Sequence, residues 1–145
     1  MKNLTHLIAV AVLAFGINLA QAEKITPGPK GGRLLENESP RAEFFVEKDK
    51  TVTITFYDND LKPVKPADQV VTAIAEAKSG KVKIAFEKKG DVLVSKTALP
   101  EGNEYNVVVQ FRSTADAKPV NFRVKYNTST CEKCKRAEYA CICDE

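Results

Sequence analysis

Beyond residue 22 the chain contains no histidine, no methionine and no tryptophan; its single histidine is His6 and its single methionine is Met1. Without imidazole there is no histidine general base and no Ser-His-Asp triad. Metal sites built on imidazole or thioether ligands are excluded as well. No enzyme active-site pattern remains, and the chain reads as non-enzymatic. Neither sign of charge dominates: 22 Lys and Arg face 19 Asp and Glu, interspersed and without a basic block. That is a solvated surface, not one that binds nucleic acid. Long apolar runs are also scarce. The one present, residues 7–19, falls short of the roughly 18 residues a spanning helix needs, which argues against membrane insertion. Cysteine is missing from the first 130 positions.

What is there begins with a secretory signal. Lys2 supplies a positive start, residues 7–19 an apolar stretch without acids, and Ala20-Gln21-Ala22 the small residues that signal peptidase reads. Cleavage is expected before Glu23, with delivery to the bacterial periplasm or to the outside. No cysteine near residue 22 offers a lipoprotein attachment point. The remaining length suits one ordinary domain.

Residues 23–32 are rich in Pro and Gly (Pro27, Gly28, Pro29, Gly31, Gly32) and predict an extended, partly mobile arm. Residues 33–126 change character. Residues 51–57 alternate, with Val52, Ile54 and Phe56 on one side and threonines on the other. Residues 81–87 alternate again and predict Val82, Ile84 and Phe86 inward. Residues 105–111 are the strongest strand pattern, and residues 120–126 place Val120, Phe122, Val124 and Tyr126 on one face. Residues 70–77 mix helix-favouring alanines with strand-favouring Val70, Val71 and Ile74; flanking strands favour a strand. Asp58-Asn59-Asp60 is a polar turn, since two carboxylates lack the remaining ligands of a calcium loop. About seven or eight short strands with regularly spaced turns and no βαβ pattern predict an all-β, antiparallel sandwich.

Leu99-x-x-Gly102-x-x-Tyr105 resembles the tyrosine corner of fibronectin type III and related immunoglobulin-like domains. The resemblance implies an immunoglobulin-like sandwich in which Leu99 plugs the core, Gly102 makes the turn and Tyr105 is structural. The Gly31-Gly32 arm, the sandwich length and the turn from Tyr57 to Val64 together resemble small bacterial periplasmic proteins that accompany heavy-metal efflux systems. In those a histidine often precedes the two glycines; here it is Lys30, and an ammonium is a poor ligand at neutral pH. The resemblance implies a non-enzymatic role near metal handling, with a metal-efflux or other envelope protein as partner.

Residues 127–145 form a polar linker and a four-cysteine tail, C-x2-C, six residues, then C-x-C: Cys131, Cys134, Cys141 and Cys143. Three readings are open. C-x2-C presents two thiolates on one turn, as zinc knuckles do, and C-x-C two more, a set suited to zinc or copper(I). Lys133, Lys135 and Arg136 would offset the thiolate charge and lower the thiol pKa values. Residues 135–140 would supply one or two helical turns to fold the pairs together. Alternatively, two disulfides staple the tail of a structural or protein-interaction module, as an oxidising compartment permits. Thiol redox work is the third, although no βαβ frame presents the C-x2-C. The preferred expectation is an exported protein that binds or sequesters a thiophilic metal through its four cysteines.

Overall fold

The computed structural model describes residues 24–35 and 40–143; the expected signal peptide lies outside the described residues. Among the described residues ten strands follow in order: β1 Thr26–Pro27, β2 Arg33–Leu35, β3 Arg41–Val46, β4 Val52–Tyr57, β5 Pro63–Val64, β6 Val70–Ala77, β7 Gly80–Lys89, β8 Val92–Ser95, β9 Tyr105–Arg112 and β10 Val120–Tyr126. The one helical element among the described residues is a 3-10 turn, Glu138–Ala140. The strands pair in the order β1-β2-β3-β4-β8-β7-β6-β9-β10, with β5 beside β4. Every ladder is antiparallel.

The period-2 pattern explains most of these strands. Along β9, burial alternates residue by residue, with Tyr105, Val107, Val109 and Phe111 inside. Strand β6 is settled by its neighbours: it is hydrogen-bonded on both sides, to β7 and β9, and turns Val71, Ala73, Ala75 and Ala77 inward. A helix there would forfeit both ladders.

Strand β7 is where the sheet curls. Its residues 80–85 pair with β6, and its residues 86–89 leave β6 and pair with β8. The two halves of the sheet thus enclose a shared core. Phe44, Ile54 and Phe56 from β3 and β4 join Val107, Val109, Phe122 and Val124 from β9 and β10 in one cluster, and Phe56 and Phe111 rings lie 6.0 Å apart. Each large side chain so buried contributes about 1.5–3 kcal/mol of transfer free energy.

Two inward assignments fail at the ends of strands. Val82 is 38% exposed and Val120 45%. Val82 lies on the half of β7 that pairs with β6, opposite Ala75, and Val120 opens the edge strand β10 opposite Phe111.

Leu99 is buried, Gly102 takes φ +103°, and the Tyr105 hydroxyl donates to the Pro100 carbonyl at 2.9 Å. Desolvation of the Tyr105 phenol is the first cause raising its pKa above the usual range.

The Pro/Gly-rich arm joins the sheet: Thr26–Pro27 extend along β2 as β1, and the turn that follows is held against β3 and β4 by a carboxylate. Glu43, fully buried, accepts from the Lys30 amide at 3.0 Å, the Gly32 amide at 2.8 Å and the Tyr57 hydroxyl at 2.7 Å. Charge-assisted bonds of this kind satisfy a buried carboxylate that would otherwise be costly. Gly28 is required by the same contact, because a Cβ at that position would fall on the Glu43 carboxylate. In Asp58-Asn59-Asp60 the Asp58 Oδ1 accepts from the amides of Asp60 and Lys62, both at 2.9 Å, so that carboxylate is committed to the turn.

Candidate metal centre

After β10 the chain does not run off as a loose linker. The Asn127 carbonyl accepts from the Tyr139 amide at 3.0 Å, and the Ser129 carbonyl from the Glu138 amide at 2.9 Å. Thr130 bridges Ala137 in antiparallel fashion. Residues 127–130 therefore pair with the returning chain. Asn103 holds this pairing from the body: its Nδ2 donates to Asn127 Oδ1 at 2.9 Å, and its Oδ1 accepts from the Thr128 amide at 3.0 Å.

Between the paired segments lies a closed loop carrying the C-x2-C motif. The Cys131 amide donates to the Arg136 carbonyl at 2.8 Å, and the Lys135 amide to the Cys131 carbonyl at 2.9 Å. The turn closes because Lys135 adopts φ +59°, a left-handed conformation that a side-chain-bearing residue enters at a cost of about 1–2 kcal/mol. That conformation also aims the Arg136 N–H at the Cys134 sulfur. It breaks the expected helix as well: helical structure is limited to Glu138–Ala140.

This 3-10 turn is anchored in the body. Tyr139 is 4% exposed and Ala140 fully buried, both within the main core cluster. The Tyr139 ring meets Phe44 edge-on at 5.9 Å, and its hydroxyl accepts from the Val46 amide at 3.0 Å. Residues 141–143 then return toward the loop. Anchoring at Tyr139 brings the C-x-C pair beside the C-x2-C pair.

The four sulfurs meet, all within 4.8 Å of one another. Cys131 and Cys143 Sγ are 3.9 Å apart, Cys134 and Cys141 Sγ 3.6 Å. A covalent disulfide requires about 2.05 Å. All four cysteines are free thiols, and the two-disulfide staple is not what the structure shows. The spacing does fit a metal. A tetrahedron with zinc–sulfur bonds of about 2.3 Å has sulfur–sulfur edges of about 3.8 Å, between these two separations. The Cys143 amide donates to Cys141 Sγ at 3.4 Å, as outer-shell groups do around thiolate ligands. The residues present can hold a thiophilic ion.

The electrostatics differ from expectation. Cys134 is pulled down to about 6, first by the Arg136 backbone N–H and, among smaller causes, by the Ile142 N–H. Backbone amides, not the neighbouring lysine ammoniums, make it the thiolate. At Cys141 the Cys143 amide favours the thiolate, but the Cys131 sulfur, desolvation and the other sulfurs outweigh it and push the thiol up to about 12. Desolvation and the Cys131 and Cys134 sulfurs raise Cys143. Four crowded sulfurs resist ionising together unless a cation joins them. Arg136 lines the same groove as Cys134, and one of its guanidinium nitrogens is buried without a hydrogen-bond partner. A cation so placed suits a cluster that becomes anionic when loaded.

Sequence reasoning singled out the four cysteines but missed what assembles them. Tyr139 is the anchor, and Asn103 and Asn127 hold the pairing that leads to it. Away from the cysteines, Glu43 holds the arm, and its signal in the sequence is a lone acid within Ala42-Glu43-Phe44-Phe45-Val46. Comparison with known protein families, with curated proteins and with solved structures finds no match for this chain. The likeness to efflux-associated periplasmic proteins has no relative behind it, and the site stands on its geometry.

Proposed function

We propose that this is an exported, non-enzymatic protein that binds or sequesters a thiophilic metal, zinc or copper(I), through Cys131, Cys134, Cys141 and Cys143. The observation that carries the proposal is the convergence of four free sulfurs within 4.8 Å. All four positions of a tetrahedral ion are then supplied by the chain, and none is left for a substrate, which is the hallmark of a holding site and not of a catalytic one. When bound, the ion supplies cross-linking and charge compensation. The chain supplies the left-handed Lys135 turn, the amides that favour thiolates at Cys134 and Cys141, and the Tyr139 anchor.

The body is read as an immunoglobulin-like sandwich, with the Tyr105–Pro100 bond supporting that reading. Residues 1–22 support export to the periplasm, with the arm at 23–32, the β body at 33–126 and the tail at 127–145. An envelope metal-transport protein is the class of partner this role implies.

The test is native mass spectrometry of protein purified from periplasm without chelator. The expected species starts at Glu23, carries one metal ion and gains thiol reactivity only after chelation or unfolding. Cys134→Ser should lower the metal content while the body stays folded. A metal-free mass lighter by the hydrogens of two disulfides would sink the metal reading.

A further inference from the structure

The four sulfurs do not share one opening. Cys134 lines a groove beside Val46 and Arg136, whereas Cys131, Cys141 and Cys143 line a second groove of about 600 Å³. Four cations, Arg33, Arg123, Lys125 and Lys133, border this second groove against two acids, Glu132 and Glu138. Two of the cations are held in place: Arg33 Nη1 donates to the Arg123 carbonyl at 3.1 Å, and Arg123 Nη1 pairs with Glu76 at 3.0 Å. Lys125 and Lys133 make no ion pair among the described residues. A three-sulfur face thus opens into a groove with an excess of positive charge and two uncommitted ammoniums.

We propose that this groove receives the metal as an anionic thiolate complex. A small carboxylate-bearing thiol places its carboxylates on Lys125 and Lys133 and presents its metal to Cys131, Cys141 and Cys143. The proposal rests on the metal reading above and deepens it by naming the carrier. Transfer is ligand exchange without oxidation. Each step breaks one metal–sulfur bond to the carrier and forms one to a cysteine, and the cysteine's proton leaves on the released carrier thiol. Cys134, reached from the other groove, completes the set.

The test compares zinc transfer to the metal-free protein from complexes of glutathione (anionic), 2-mercaptoethanol (neutral) and cysteamine (cationic), by stopped-flow. In low salt the anionic donor should transfer about tenfold faster than the cationic one, an advantage that electrostatic steering supplies and added salt removes. Lys125→Glu, on the exposed face of β10, should collapse that ratio toward one or invert it. A wild-type ratio near one, or one insensitive to salt, overturns the proposal while final loading with one zinc leaves the metal reading standing. Failure to load from any donor overturns the metal reading and the proposal with it.

Discussion

Tyr139→Phe tests whether docking of the tail and metal holding are one event. The substitution keeps the ring on Phe44 and deletes only the hydroxyl that accepts from the Val46 amide at 3.0 Å. Val46 pairs with Val52 within the β3–β4 ladder, yet its N–H points toward the tail. Deleting the acceptor leaves a half-buried donor unpaired, a loss of about 1 kcal/mol because water reaches part of the site. Urea unfolding of the metal-loaded protein should show that loss as a lower midpoint at unchanged slope. If Tyr139 must dock to bring residues 141–143 beside the C-x2-C loop, the same free energy weakens zinc binding, by up to about fivefold for 1 kcal/mol. Chelating the metal in wild type should in turn speed hydrogen exchange at the Val46 amide. The reasoning is refuted if Tyr139→Phe lowers stability while zinc affinity and the response of Val46 to chelation stay unchanged. The tail would then dock independently of its metal.

Three further outcomes are expected. Lys135→Gly removes a side chain from a left-handed position and should raise stability of the loaded tail by about 0.5–1 kcal/mol after the extra flexibility of glycine is counted, read as tighter zinc binding in a chelator competition. Gly28→Ala drives a Cβ into the Glu43 carboxylate and should cost about 1–3 kcal/mol by thermal denaturation, with no change in metal stoichiometry. Zinc affinity should rise with pH: Cys141, up to about 12, and Cys143, raised by burial, must each lose a proton on binding, so the logarithm of the apparent constant should climb by at least about two per unit near neutrality. Below the Cys134 value of about 6 a further proton competes and the slope should steepen, which a titration followed by chelator absorbance would resolve.

The β character of the body was legible because alternation is local. Residues 105–111 show which side chains face inward without reference to any partner, whereas the same alternation at residues 52–57 does not show that β4 is buried on both faces. Val82 and Val120 mark the limit of that signal: both obey the alternation and are nonetheless exposed, because burial also depends on what packs against the face. The docking of the arm was illegible for a related reason. Pro and Gly exclude helix and central strand in residues 27–32, but where such a segment is held depends on an acceptor for its amides, and that acceptor is Glu43, 13 residues beyond Lys30.

The sequence by itself determined that any soft-metal site would be a sulfur site, because no other soft ligand follows residue 22. It also determined a strand-rich body, since side-chain period and β-branching act within a few residues. Only the tertiary structure brought four sulfurs within 4.8 Å, with no pair at disulfide bonding distance. It did so through a contact no local pattern reports, the Tyr139 hydroxyl on the Val46 amide across 93 residues. Residue type sets which bonds a chain can make, and the packing of segments distant in sequence sets which of them it makes.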